Sequence, residues 1–251
     1  MGDILRRRAM MVQAAAPVAE PNVTIADITG NGTNSIAVDL GMSSPSILTF
    51  YAKAPLGSGT FWNNDGGYRL MQLADADYAR DLIDNTTTTT NNGGSLGTAA
   101  SAVLVYQNGV LSYNSSIVLR NSYEYRVIAI NPSGRQAKKL AIATFTGNGQ
   151  GSISVDLGDI DPSILLLYPT TPMTSGAFPS QNNGQRLFML MDTSVQQAGF
   201  YYANTRSSTS NGNILRTATS STAFGYSNGV LSVGSSVVLR NNYTYKVIAI
   251  E

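Results

Sequence analysis

The stretch that decides the fold is Ser-Ile-Ala-Val-Asp-Leu-Gly at residues 35–41, because it returns as Ser-Ile-Ser-Val-Asp-Leu-Gly at residues 152–158. In the first of these, apolar Ile36, Val38 and Leu40 alternate with small or charged residues. An apolar period of two is typical of a β-strand with one buried face. The pattern therefore predicts the same strand twice in one chain.

Further matches extend outward from this stretch and keep their order along the chain. The offset between the matches is 117 residues at first and 120 residues near the carboxyl end. An unbroken order of this kind indicates a tandem duplication of a unit of about a hundred residues. The other matches are Thr-Gly-Asn-Gly at 29–32 and 146–149, Pro-Ser-Ile-Leu at 45–48 and 162–165, Asn-Gly-Val-Leu-Ser at 108–112 and 228–232, and Val-Ile-Ala-Ile at 127–130 and 247–250.

The matches divide the chain into an anchor peptide, two copies and a linker. The first copy is predicted at residues 21–130 and the second at residues 139–251. The linker is predicted at residues 131–138, where Asn-Pro-Ser-Gly at its start is typical of a turn. Residues 1–20 belong to neither copy.

Each copy shows the signals of an all-β fold. Asn108-Gly109 and Asn228-Gly229 each lie between apolar runs, which is the strongest short-range signal for a hairpin. The apolar runs that begin at Ser46 and Ile164 are typical of strands buried on both faces. With seven or so short strands per copy, we expect two tandem β-sandwich domains of jelly-roll-like type.

The middle of each copy is where the two differ. Residues 85–94 and 205–212 are rich in Thr, Ser, Asn and Gly, and the change of offset has to fall near them. We expect polar loops here, since loops tolerate changes of length at small cost. The copies should diverge mainly at residues 85–100 and 204–220.

Composition removes several classes of function. The chain of 251 residues has no cysteine and no histidine, which excludes disulfides, thiolate or histidine metal sites, and catalytic triads that use histidine. Sixteen basic against fifteen acidic residues leave a net charge of +1, without the basic excess of a nucleic-acid-binding protein. No apolar run is long enough for a membrane span. We therefore expect a non-enzymatic protein without a cofactor, a nucleic-acid partner or a membrane partner.

One acidic stretch is a candidate for metal binding or catalysis. Asp75, Asp77, Asp81 and Asp84 have spacings that would suit a calcium site or the paired acids of a glycoside hydrolase. The second copy keeps only Asp192, the equivalent of Asp75. Because catalysis or metal binding would then exist in one copy only, we expect a solvated turn or loop.

Two other sets of residues have a structural interpretation that outweighs a functional one. Asp39 and Asp156 each precede a turn glycine, where an acid usually accepts hydrogen bonds from nearby backbone. Trp62, with Phe61 and Tyr68, lies among Asn and Gly residues, as sugar-binding aromatics often do. Trp62 has no aromatic equivalent in the second copy, which favours burial in a core or an interface.

The first twenty residues are predicted to be an anchor for another chain, either extended or a short helix capped by Asp3. Such a short helix is marginal in isolation, so a partner is expected to hold it. The alternative is that the peptide packs on its own first domain. The predicted contact residues are Ile4, Leu5, Arg6, Arg7, Arg8, Met10 and Met11.

The order of motifs resembles that of the small β-sandwich modules of bacteriophage fibre and appendage proteins. Those modules carry a Thr-Gly-x-Gly strand, a Leu-Gly-Phe-x-Pro turn and a final Tyr-x-Tyr-x-Ala-Phe strand. Here the final strands are Tyr-x-Tyr-x-Val-Ile-Ala-Ile at 123–130 and 243–250, and Met42 and Asp159 replace the Phe of the turn. Residues 4–11 also resemble the leaders of structural proteins of gut bacteriophages.

The resemblance implies a location in the virion and a structural function. The protein would be a head fibre or decoration protein of the capsid, or a tail-associated adsorption protein. Its partners would be other virion proteins, bound through the N-terminal segment, and further copies of itself in a homo-oligomer. The alternative is a carbohydrate-binding or adhesin module for host-surface attachment, with a surface glycan as its partner.

Overall fold

The computed structural model shows an all-β protein, as the sequence predicts. Among the described residues there is no α-helix, and the one helical element is a single 3-10 turn at Ala76–Tyr78. The anchor residues predicted at 4–11 lie outside the described part. The structure describes residues 19–31, 37–53, 71–78, 80–85, 88–90, 104–107, 109–113, 121–148, 153–170, 188–194, 200–203, 207–210, 224–233 and 241–251.

The first half of the molecule contains strands β1 to β9. A six-stranded antiparallel sheet has the order β1-β9-β3-β4-β5-β6, and a three-stranded sheet has the order β2-β8-β7. Its strands are β1 (Val23–Thr29), β2 (Ala37–Asp39), β3 (Ile47–Ala52), β4 (Met71–Asp75), β5 (Arg80–Asn85), β6 (Thr88–Thr90), β7 (Leu104–Gln107), β8 (Val110–Tyr113) and β9 (Glu124–Ile130).

The second half contains strands β10 to β18 and repeats this arrangement. Its six-stranded sheet has the order β10-β18-β12-β13-β14-β15, and its three-stranded sheet has the order β11-β17-β16. Position for position, this is the strand order of the first half. Its strands are β10 (Leu140–Thr146), β11 (Ile153–Asp156), β12 (Ile164–Pro169), β13 (Phe188–Asp192), β14 (Phe200–Ala203), β15 (Ser207–Ser210), β16 (Phe224–Ser227), β17 (Val230–Val233) and β18 (Thr244–Ile250).

The predicted hairpin at Asn228-Gly229 is confirmed. Ser227 pairs with Val230, so these two residues form the whole loop between β16 and β17. Their φ angles are 50° and 79°, and a two-residue turn with positive φ at both positions matches the twist of the flanking strands. In the first half, Gln107 pairs with Val110 and Gly109 has a φ of 84°.

Each half has a hydrophobic cluster shared by its two sheets. In the first half, Phe50 and Val127 of the six-stranded sheet pack with Tyr106 and Leu111 of the three-stranded sheet. The second half has the equivalent cluster, with Leu167 and Val247 packed with Tyr226 and Leu231 and with other neighbours. Each of these two clusters therefore lies within a single half.

A third cluster joins the two halves, and the strand period of two explains how. In β9, Tyr125, Val127 and Ala129 face the cluster within the first half, whereas Ile128 and Ile130 face the second half. Strand β18 alternates in the same way. The central strands are thus buried on both faces, as the sequence predicts for the runs that follow Ser46 and Ile164, and all of Ile164–Pro169 is buried.

The segment between the halves is held firmly by one buried side chain. The Gly134 amide donates to the Asn131 carbonyl over 2.9 Å, which confirms the predicted turn. The Asn22 carboxamide, only 5% exposed, accepts from the amides of Ala137 and Lys138 at 2.8 and 3.1 Å. It also donates to the Lys138 carbonyl over 2.9 Å. These bonds fasten the segment to the start of β1.

The prediction of polar loops in the middle of each copy is wrong in part. The Thr-rich stretch contains edge strand β6, and the Ser-rich stretch contains edge strand β15. Each of these strands pairs along one side, with β5 or β14, and β-branched Thr suits a strand. The predicted borders at 20, 130 and 138 stay predictions.

Candidate functional site

The candidate functional site is the contact between the two six-stranded sheets. The contact has an apolar centre, here called the interface cluster, to which both halves contribute buried side chains. Complete burial of one such side chain contributes about 2 kcal/mol. The interface cluster consists of Val23, Ile47, Tyr51, Leu73, Ile128 and Ile130 from the first half, and Ile164, Leu166, Tyr168, Ile248 and Ile250 from the second.

A buried carboxylate of the first half is held by two side chains of the second. The Tyr168 hydroxyl donates to Asp75 Oδ2 over 2.7 Å, and Lys246 Nζ donates to the same oxygen over 2.7 Å. Lys246 also lies 3.0 Å from Oδ2 of Asp77. Asp75 is 4% exposed and Lys246 is 3% exposed. We call these four residues the Asp75 network.

A buried carboxylate of the second half is held in the same way by the first. The Tyr51 hydroxyl donates to Asp192 Oδ2 over 2.6 Å, and Arg126 Nη1 donates to that oxygen over 2.6 Å. Arg126 Nη1 also donates to the Ser194 hydroxyl. Asp192 is 1% exposed. We call these four residues the Asp192 network.

The two networks are built from equivalent positions of the repeat. Tyr168 and Asp192 follow Tyr51 and Asp75 by 117 residues, Ser194 follows Asp77 by 117, and Lys246 follows Arg126 by 120. The backbone amide of Asp77 donates to Oδ1 of Asp75 over 3.1 Å, and the equivalent amide of Ser194 donates to Oδ1 of Asp192 over 2.9 Å. An interface in which each side uses the same patch is isologous, as in a twofold dimer.

The outer parts of the two networks have diverged. Arg126 Nε donates to Asp27 Oδ1 over 2.7 Å, and Asp27 is also bonded by Lys53 at 2.8 Å. The second copy has Thr144 and Thr170 at the positions of Asp27 and Lys53. Within the described residues, only the Asp192 network therefore continues, through Arg126, into a chain of ion pairs toward the solvent.

The electrostatics follow from burial and pairing. Burial raises the pKa of the Tyr51 hydroxyl well above its ordinary value, and the negative charge of Asp192 raises it further. Burial alone would lower the pKa of the Lys246 ammonium, but its hydrogen bond with Asp75 and the charges of Asp75 and Asp77 outweigh this, so the pKa is raised. The hydrogen bond from Arg126 lowers the pKa of Asp27. Lysine and arginine in these networks therefore stay charged at neutral pH.

Such an arrangement orients the halves more than it stabilises them. A buried ion pair costs desolvation energy that its attraction repays only when its geometry is good and its remaining atoms are bonded. Here each buried carboxylate has a tyrosine hydroxyl, a cation and a backbone amide as donors. A rotation or slip of one half would deprive Asp75 and Asp192 of their tyrosine hydroxyl and their cation, which costs several kcal/mol. The networks therefore select one relative orientation.

A second feature lies on the surface of the second half. An open cleft of about 750 Å³ lies next to the Asn228-Gly229 hairpin. The Tyr226 hydroxyl at its base donates to the Ile160 carbonyl over 2.6 Å. Burial, then the charges of Asp161, Asp156 and Asp159, raise the pKa of Tyr226. The cleft is thus polar and acidic.

The structure corrects the interpretation of the acidic stretch. The sequence predicts a solvated turn at Asp75, but Asp75 ends β4 and is buried under the second half. The Asp77 side chain, in the 3-10 turn that follows β4, is 68% exposed and fits that expectation. Asp81 and Asp84 lie in β5, the strand next to β4, where they pair with Ala74 and Met71. Asp75 is buried because Tyr168 and Lys246 of the second half cover this end of β4.

The other predicted residues fall into two groups. Asp39 and Asp156 accept hydrogen bonds of 2.8 Å from the amides of Gly41 and Gly158, which confirms their structural role. The predicted anchor residues lie outside the described residues, as do Trp62, Phe61 and Tyr68.

The sequence analysis does not identify Tyr51, Tyr168, Arg126 or Lys246 as interface residues. The available signal was their retention as tyrosine or cation in both copies, together with the pair Asp75 and Asp192.

The described part of the chain contains no cluster of three or more acidic side chains placed to hold a metal ion. Nor does it contain a helix with the length and apolar character needed to cross a membrane. No family model, no curated protein and no solved structure matches the chain.

Proposed function

We propose that this chain is a non-enzymatic structural protein of a bacteriophage virion. In this proposal residues 1–20 attach it to the particle as a head fibre, decoration or tail-associated protein. The two copies, at 21–130 and 139–251, are tandem β-sandwich domains that arose by duplication. They are presented together as one unit on the outside of the particle.

The observation that carries the proposal is the pair of polar networks between the halves. Two domains joined by a linker move relative to one another unless the interface is large and apolar. Here an apolar cluster and two buried networks hold them, and Asn22 fastens the linker itself. A rigid pair of domains suits a protein that projects from a particle, and the resemblance of the repeat to fibre and appendage modules supports the same function.

The test is removal of the anchor peptide. Deleting residues 2–20 should leave a soluble, folded protein that no longer joins the particle, because the described cores use no residue before Val23. Virions produced with the truncated chain would be purified on a density gradient, and their bound copies counted by quantitative mass spectrometry. Incorporation at normal occupancy would refute the anchor.

A charge-matched variant separates the anchor from a general loss of basic charge. Replacing Arg6, Arg7 and Arg8 with alanine should reduce incorporation strongly, since clustered arginines pair well with acidic groups of a partner. Replacing Arg135, Lys138 and Lys139 with alanine removes the same charge in and directly after the linker and should leave incorporation near normal. Equal losses in the two variants would argue against a specific anchor.

The open cleft beside the Asn228-Gly229 hairpin favours a second candidate, the carbohydrate-binding or adhesin module. Its size is that of a small-ligand site, and its carboxylates and amide are groups that bind sugar hydroxyls. A glycan array with the chain lacking residues 2–20 tests this function, because the binding would then be independent of the anchor. A signal abolished by Asp159→Asn and Asp161→Asn would support it, and no signal would exclude it.

A further inference from the structure

We propose that the covered face of each half is self-complementary, so that each half also binds a second copy of itself. The chain is then a covalently fused dimer, and when its two halves are separated, each half can also pair with the equivalent half of another chain. This inference stands on the interface alone and is independent of the proposed location in a virion.

The apolar part of the interface is largely shared by the two sides, although Leu166 stands where the first half has buried Thr49. Four positions of the interface cluster carry identical residues in the two copies, so at these positions either half offers the same surface to its partner. Replacing one half by a copy of the other leaves these contacts in place. The identical pairs are Ile47 and Ile164, Tyr51 and Tyr168, Ile128 and Ile248, and Ile130 and Ile250.

The two polar networks are complementary in every combination, whereas the bonds of Asn22 with Ala137 and Lys138 are kept only by the mixed pair. Two first halves would place Tyr51 and Arg126 of each against Asp75 of the other, because Asp75 is the equivalent of Asp192. Two second halves would place Tyr168 and Lys246 of each against Asp192 of the other. No combination leaves a buried carboxylate without a hydroxyl and a cation, or brings two buried cations together.

The halves are also separable in principle. Each has a cluster of its own between its two sheets, and no strand of one half is paired in a sheet of the other within the described residues. The covalent connection is the segment that begins at the exposed turn of Pro132 and Ser133. This connection makes pairing within one chain far more favourable than pairing between chains, because it keeps the partner at a high effective concentration.

The experiment uses the full chain with a protease recognition sequence inserted between Pro132 and Ser133. After cleavage, fragments 1–132 and 133–251 differ in mass, so native mass spectrometry distinguishes all their pairs. The first spectrum should show only the mixed pair. After exchange in mild denaturant and dialysis, we expect three species: the mixed pair, the pair of first halves and the pair of second halves.

Two variants assign the homodimers to this interface. Asp192→Asn removes both polar networks from the pair of second halves and none from the pair of first halves. It should lower the amount of the former by about tenfold or more and leave the latter within about twofold. Asp75→Asn should give the opposite pattern. The milder Tyr168→Phe and Tyr51→Phe repeat the test with variants that keep the buried carboxylates.

The proposal fails on any of three results. The first is that exchange returns only the mixed pair, and the second is that cleavage releases monomers. The third is that homodimers form but respond equally to Asp75→Asn and Asp192→Asn, since they would then use another face. Circular dichroism of each cleaved variant verifies that its fragments keep their strands.

Discussion

The Tyr51 hydroxyl in the first half donates a 2.6 Å hydrogen bond to Asp192 in the second, 141 residues further along the chain. Its equivalent, Tyr168, donates to Asp75 over 2.7 Å in the opposite direction. The two bonds are reciprocal because each half uses the same two positions, once as donor and once as acceptor. The two halves thus face each other as the subunits of a twofold dimer do.

The buried acid of the Asp75 network should be far more important for stability than the exposed acid beside it. Asp75→Asn leaves Lys246 buried with a weaker partner, so we expect a loss of about 3 kcal/mol in the free energy of unfolding. Asp77→Asn removes the same charge two residues away, where the side chain is 68% exposed, and should cost less than about 1 kcal/mol. Urea unfolding of the two variants measures the difference.

The two variants are matched in chemistry and in sequence position, so an effect of net charge would be equal in both. Equal losses from Asp75→Asn and Asp77→Asn would contradict the burial of Asp75 under the second half.

The hydrogen bond between Tyr168 and Asp75 should appear as a coupling energy. In a double-mutant cycle of Tyr168→Phe and Asp75→Asn, the double variant should lose about 1 kcal/mol or more less free energy of unfolding than the sum of the two single losses. The control cycle combines Asp75→Asn with Tyr226→Phe, since the Tyr226 hydroxyl bonds Ile160 within the second half. That cycle should be additive within about 0.5 kcal/mol. Coupling in the control but not in the first cycle would contradict the assigned pairing.

The fold class, the strands and the hairpins were predictable because they depend on local patterns. Three signals each depend on residues close together in the chain: the alternation at 36–40, the Asn-Gly pairs, and the acids before Gly41 and Gly158. These predictions agree with β2, with the turn at Asn228-Gly229 and with the hydrogen bonds of Asp39 and Asp156. Local chemistry determines such features wherever the rest of the chain lies.

The interface was not predictable in the same way, because it depends on which face of a sheet is covered. An apolar strand such as β12 signals burial on both faces but does not identify the partner of either. The sequence predicts a solvated turn at Asp75 because the second copy keeps only one of the four acids, Asp192, and this comparison does not show what covers the acid. Its real partners, Tyr168 and Lys246, are 93 and 171 residues away in the chain.

The turn glycines of the second half should differ sharply in their tolerance of a side chain. A Cβ on Gly229 would lie 2.2 Å from the carbonyl oxygen of Gly158, so the backbone would have to move. A Cβ on Gly158 would meet nothing within 4 Å, although its φ of 75° is also unfavourable for alanine. Gly158→Ala should therefore cost about 1 kcal/mol, the strain of a left-handed residue, and Gly229→Ala clearly more. Thermal unfolding of the two variants measures this difference. A Gly158→Ala protein less stable than Gly229→Ala would contradict the close approach of Gly229 to the Gly158 carbonyl.

The Tyr51 hydroxyl should make the protein sensitive to alkaline pH. Burial, reinforced by Asp192, raises its pKa above the ordinary value of 10.0, so the folded state keeps a proton that the unfolded state loses. A group with a raised folded pKa contributes its full stability below the unfolded pKa, and loses it as the pH rises through the folded pKa. The stability should therefore be flat in this contribution up to about pH 9 and fall above pH 10, by up to about 1.4 kcal/mol per pH unit. Tyr51→Phe removes this proton, so the variant should be less stable at pH 7 but lose less free energy of unfolding between pH 9 and pH 11. Some loss above about pH 10.5 should remain in the variant, because the pKa of Lys246 is also raised. Urea unfolding of both proteins across this range measures the slopes, and identical alkaline slopes would show that Tyr51 is not the buried donor to Asp192.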